Sequence, residues 1–187
     1  KGIKTLDELI SLSFYKKTIT RNLDTQEYNV KGIYGMNGSG KSAIVTSADI
    51  LRNLLTNPGY LNNPIVQKNL EELINKKLGE LFISVDFLVN LNKQENSIPV
   101  LMRYMVTISQ NSNGKYAISH EKLSCKNACR KSDFMFNVFE TQKGDVISVI
   151  DEAENPFLKR FLDKTTNLLE DNSMCVLFFD KVLMDMA

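Results

Sequence analysis

No uncharged apolar run in the sequence approaches the roughly 20 residues that span a bilayer, so no segment reads as a transmembrane helix. The opening KGIKTLDELI carries charges where a secretory signal would need an apolar core. A dominant charge sign is missing too. Against 23 lysines and arginines stand 22 acidic residues, and a net charge of +1 supplies no field that would by itself gather nucleic acid or an anionic lipid surface. Only three cysteines occur, Cys125, Cys129 and Cys175, an odd number that builds no disulfide framework and suits a reducing compartment. These absences together predict a cytoplasmic protein with no membrane partner. The single histidine, His120, could join Cys125 and Cys129 around a metal. Their irregular spacing and the missing fourth ligand favour reading them as unrelated.

What is present suffices for one good core: 187 residues, 43% of them hydrophobic. A single domain over 1–187 is expected. LISLSFYKKTI and YNVKGIYG are rich in β-branched and aromatic residues and read as strands. Past a glycine-rich loop, Ile44, Ala48, Leu51 and Leu55 recur at helical spacing. A second helix is predicted from about Pro64 to Leu78, with Val66, Leu70, Leu73 and Ile74 on one face and Pro64 in the first turn.

From Glu80 the period changes to two. Leu81, Ile83, Val85, Phe87 and Val89 alternate with polar residues, and Val100, Met102, Tyr104, Val106 and Ile108 do the same. SQNSNGKY is a turn into a third strand, KYAISHEKL, and DFMFNVFETQKGDVISVI reads as a hairpin around Lys143 and Gly144. Residues 80–151 therefore form an expected antiparallel block of four or five strands. The 155–187 part begins as a helix, with Leu158, Leu162, Thr165 and Leu169 in line.

The chemistry is concentrated in GMNGSGKS, residues 35–42, which meets the pattern G-x-x-x-x-G-K-[ST] in full. From average residue usage the pattern arises by chance in roughly 0.5% of chains this long, so it is read as functional. Its context over 28–58, strand then glycine loop then helix, is the one the motif requires. Glycines let successive backbone N–H groups turn inward around an anion, while the following helix points its positive end at the same place. A phosphate is the natural occupant. Lys41 is the catalytic candidate, a mobile cation for the β- and γ-phosphates, and the Ser42 hydroxyl is the candidate ligand for Mg2+. The residues expected to hold the nucleotide are Gly35, Asn37, Gly38, Ser39, Gly40, Lys41, Ser42 and Ala43, and the expected cofactors are ATP and Mg2+.

The wording of the loop, with Asn37 just before Gly38-Ser39-Gly40, resembles that of ABC-type ATPases, and among them the SMC-like, RecF-like and OLD-like branch. Asn29 to about Leu55 carries the resemblance; the later block containing SHEKLSC looks like the β-lobe of OLD-like ATP-binding proteins. The resemblance implies an α/β fold, a P-loop NTPase (ABC-ATPase-like) lobe with an antiparallel β-subdomain. It also implies ATP-dependent pairing with a second ATPase head, a homodimer in the full-length protein, that gates a DNA-directed or defence effector. Such families set adenine against a side chain upstream of the loop, for which Phe14 and Tyr15 are candidates, although strand packing explains both.

Departures from the family pattern limit this reading. The signature loop needs adjacent glycines, and after Gly40 only Gly59, Gly79, Gly114 and Gly144 occur. The acidic strand has two imperfect candidates, VISVIDE with Asp151 and Glu152, and CVLFFDK, where Lys181 follows Asp180. Both are read as non-catalytic, since the metal-binding Asp should end a buried parallel strand. The chain is therefore expected to be the N-terminal ATP-binding lobe of a longer ATPase, binding nucleotide and hydrolysing it poorly. A small-molecule kinase remains an alternative, weakened because Arg21, Arg52, Arg103, Arg130 and Arg160 form no lid-like cluster, and a transporter ATPase subunit is another. Lys126, Arg130 and Lys131 could touch a nucleic-acid backbone, yet the neutral balance favours a solvated loop.

Overall fold

The structure is a computed structural model and describes residues 1–13, 32–89, 100–128, 134–149 and 171–174. Five strands, β1 (Glu80–Val89), β2 (Val100–Gln110), β3 (Tyr116–Asn127), β4 (Phe136–Gln142) and β5 (Asp145–Val149), form one sheet in the order β1-β2-β3-β4-β5. Every neighbouring pair is antiparallel. Two helices, α1 (Lys41–Thr56) and α2 (Pro64–Leu73), precede the sheet in sequence, with a 3-10 turn, Tyr60–Asn62, between them.

The alternating residues explain the sheet. On β2, Tyr104, Val106 and Ile108 are buried while Arg103 is exposed, and the register aligns them with Val85, Ile83 and Leu81 of β1. One face therefore gathers the apolar side chains. The other carries Asp86, Arg103, Lys122 and Glu140. On β3 the core-facing residues run Ile118, Glu121, Leu123, a step of three where two is regular, because the register shifts opposite Thr107 and Ile108. Ser119 is the extra residue of this bulge. Its hydroxyl donates to Thr107 O at 3.2 Å, and its carbonyl accepts the Lys143 N–H at 3.0 Å. The β4–β5 turn has just Lys143 and Gly144 between the paired Gln142 and Asp145, with φ of 50° and 84°. Consecutive positive φ values suit the right-handed twist of a two-residue hairpin.

α2 starts where the residues favour a start. The Asn63 side chain accepts the Ile65 N–H at 2.9 Å, and Pro64 occupies the first turn, where its missing N–H costs nothing. It ends at Leu73 rather than near Leu78, since the N-terminal segment competes for its last turn: Ile74 bridges Ile3, and the Lys4 N–H donates to Leu73 O at 2.6 Å. On α1 the buried line is Ala43, Ile50 and Leu54, one residue removed from the expected Ile44, Ala48, Leu51 and Leu55. Ala48 is exposed. Helix residues, Ile3 and the apolar face of the sheet share one hydrophobic core.

The expected α/β P-loop NTPase lobe is corrected by this architecture. Among the described residues the sheet is wholly antiparallel and only two helices accompany it, whereas such a lobe is mainly parallel sheet with many helices. Short hairpin turns join β2 to β3 and β4 to β5, which leaves no room for the helical crossovers that parallel strands need. The strand expected ahead of the glycine loop is not formed over 32–36, and 9–13 is likewise irregular. Residues 14–31, and the helix expected over 155–170, lie outside the described residues.

Candidate phosphate-binding site

The GMNGSGKS loop sits at the N-terminus of α1, and two of its glycines take a left-handed backbone, Gly38 at φ 83° and Gly40 at φ 87°. Only glycine adopts this freely. At Gly38 the space beside Cα is open, so the backbone angle alone asks for glycine. At Gly40 a Cβ would lie 2.5 Å from Leu6 Cδ2, so close packing asks for it as well.

Lys41 closes the loop on itself. Its ammonium donates to Gly35 O at 2.7 Å and to Met36 O at 2.6 Å, crossing from the first helical residue back to the first two residues of the motif. Ser39 N–H donates to Met36 O at 3.3 Å, and Ala43 and Ile44 donate to Gly40 O at 3.0 and 3.3 Å. The amides of Asn37, Gly38, Gly40, Lys41 and Ser42 find no acceptor among the described residues. Gly40 brings no side-chain cap, and the first turn of α1 holds no acidic residue. Amides without an acceptor among the described residues, a helix N-terminus and an ammonium thus fall within eight consecutive residues, with no carboxylate in the first turn of α1, a donor set that suits an anion with several oxygens.

The structure brings together the site residues read from the sequence: Gly35, Asn37, Gly38, Ser39, Gly40, Lys41, Ser42 and Ala43 form one continuous turn into the helix. Ala43 is buried and points its methyl into the core, so only its backbone is near the loop. Ser42 is exposed. Among the described residues no group of three or more His, Cys, Asp or Glu gathers that could hold a metal ion.

Comparison with family models, curated proteins and solved structures gives no match.

Phe14, Tyr15, Cys129, Arg130, Lys131, Asp151, Glu152 and Asp180 lie outside the described residues. His120 is engaged on the polar face of the sheet, its Nε2 2.9 Å from Glu140 Oε1, while the Lys122 ammonium donates to Glu140 Oε2 at 2.7 Å. The Lys122 hydrogen bond, aided by that of His120, holds the Glu140 carboxyl below the ordinary glutamate value. Burial pushes the Cys125 thiol up. The residue that sequence reasoning missed is Leu6: nothing in TLDELI distinguishes it from any other apolar position, and only its contact with Gly40 does.

Proposed function

We propose that the chain binds ATP as its magnesium complex through residues 35–42. What carries the proposal is the path of Lys41, whose ammonium reaches back over the loop to Gly35 O and Met36 O, in a loop whose amides at Asn37, Gly38, Gly40, Lys41 and Ser42 have no acceptor among the described residues. On binding, those amides take the phosphate oxygens and Lys41 turns from the two carbonyls toward the β- and γ-phosphates. The Ser42 hydroxyl would be the protein's ligand to the magnesium ion, which would supply charge neutralisation to the phosphates. Binding without efficient turnover is the expected behaviour, because the positioned base and the charges that stabilise the transition state make up most phosphoryl-transfer catalysis.

The test is titration calorimetry with Mg-ATP and Mg-ADP beside Lys41→Ala, with phosphate release assayed on the same samples. Losing charge-assisted hydrogen bonds should weaken binding about tenfold to a hundredfold. A parent chain that takes up no nucleotide, or a Lys41→Ala chain of equal affinity, would refute the reading. The likeness of the loop to SMC-like and OLD-like ATPases supports one extension, that bound ATP is met by a second head. Light scattering should then find a larger mass with Mg-ATP than without.

A further inference from the structure

We infer that Leu6 is a positioning residue of the phosphate cradle, holding Gly40 in the backbone conformation that turns the loop into α1. The inference rests on the cradle reading above and concerns how its shape is maintained. Three atoms of the Leu6 side chain, Cδ2, Cγ and Cδ1, lie 2.5, 3.1 and 3.2 Å from the position a Cβ on residue 40 would take. Leu6 therefore fills the space against the Gly40 Cα, and Gly40 O is the acceptor for the first helical amides, Ala43 and Ile44.

Leu6 is itself fixed by the segment around it. Gly2 N–H donates to Leu6 O at 2.7 Å and Leu6 N–H to Ile3 O at 2.9 Å, a tight turn on which the side chain is mounted. That turn is pinned at both sides. Phe82 N–H of β1 donates to Lys1 O at 3.0 Å, and Asn75 N–H, just past α2, donates to Gly2 O at 3.0 Å. Ile3, 1% exposed, is seated in the core. Residues 1–6 thus form a hydrogen-bonded bracket from the sheet edge and the end of α2 to the glycine loop. Without the Leu6 side chain, residue 40 keeps its glycine freedom and loses the wall that selects one conformation.

The experiment uses the full chain and two probes, inorganic tripolyphosphate and Mg-ATP, at a temperature well below the unfolding of every variant. Leu6→Ala should weaken both affinities about fivefold to tenfold, while Leu6→Met, which refills the space, should stay within about twofold of the parent. Leu70→Ala, a core truncation away from the loop, should lower the melting temperature with both affinities unchanged. Hydrogen exchange gives a readout free of ligand: the Ala43 and Ile44 amides should exchange faster in Leu6→Ala and not in Leu70→Ala. A parent chain that binds neither probe overturns the cradle reading and this inference with it. A parent that binds both, with affinities indifferent to Leu6→Ala, overturns this inference alone, as would weakening by Leu70→Ala equal to that by Leu6→Ala.

Discussion

Gly38 and Gly40 have nearly the same backbone angle and different surroundings, which separates two reasons for a glycine. Gly38→Ala meets only the left-handed penalty, about 1–2 kcal/mol. Gly40→Ala meets that penalty and Leu6 as well, so it should lower the melting temperature more than Gly38→Ala and abolish nucleotide binding; equal effects in thermal unfolding would contradict the packing. Glu140 gives a prediction in pH. Its carboxyl is held below its ordinary value by Lys122 first and His120 second. A depressed carboxyl stabilises the fold above the unfolded-state value, and that contribution disappears as pH falls through the folded-state value. Glu140→Gln should therefore lower the melting temperature by about 1–3 °C at pH 7, and the difference should vanish in acid, below the ordinary glutamate range. A difference that persists or grows there would show that the ion pairs are not its cause.

At the scale of elements, α2 shows how local preference and tertiary contact divide the work. Its start was legible, because Asn63 and Pro64 are start signals that act within one turn. Asn63→Ala should cost about 1 kcal/mol, seen as a melting temperature lower by about 2–4 °C. Its end was not legible: Ile74 fits a continued helical face, and only the approach of Ile3 and Lys4 takes it out of the helix. On α1 two adjacent lines are apolar, and burial of Ala43, Ile50 and Leu54 rather than Ala48 follows from where the sheet lies. Gln67 joins α2 to the sheet, its Nε2 donating to Leu61 O at 2.6 Å and Tyr116 O at 2.8 Å while its Oε1 accepts the Tyr116 N–H at 2.8 Å. Gln67→Leu strands these backbone groups and should be more destabilising than Asn63→Ala in the same unfolding assay.

At the scale of the whole molecule, a buried polar group ties distant parts together. Glu121, 0% exposed, accepts the Tyr104 hydroxyl at 2.8 Å and the Ser173 hydroxyl at 2.6 Å on Oε1, and the Met174 N–H at 2.7 Å on Oε2. Nearby, Gly59 N–H donates to Asn172 Oδ1 at 2.5 Å, so residues 171–174 are bonded both to the sheet and to the connection between the helices. Glu121→Leu removes both acceptor oxygens and takes from the Met174 N–H its partner on Oε2. It should lower stability by about 1–3 kcal/mol and speed exchange of the Met174 amide. Unchanged exchange at Met174 would mean that the bond to Glu121 does not anchor the segment. Nothing in the sequence marks Glu121 as buried: regular alternation from Tyr116 and Ile118 would set it on the opposite face, and the extra residue at Ser119 turns it inward.

Period-two alternation and turn residues were enough to place β1 to β5, because each strand needs only its own residues and one neighbour to hide an apolar face. The glycine loop was legible for a similar reason: the angle at Gly38 and the reach of Lys41 belong to eight consecutive residues. How the sheet was assembled was settled between elements. A phosphate-loop pattern carries an expectation of parallel strands, but strand direction depends on which neighbours pair and how long their connections are, and hairpins decided it here. The support behind Gly40, the early end of α2 and the inward turn of Glu121 likewise come from residues far apart in the chain, where no local pattern can register them.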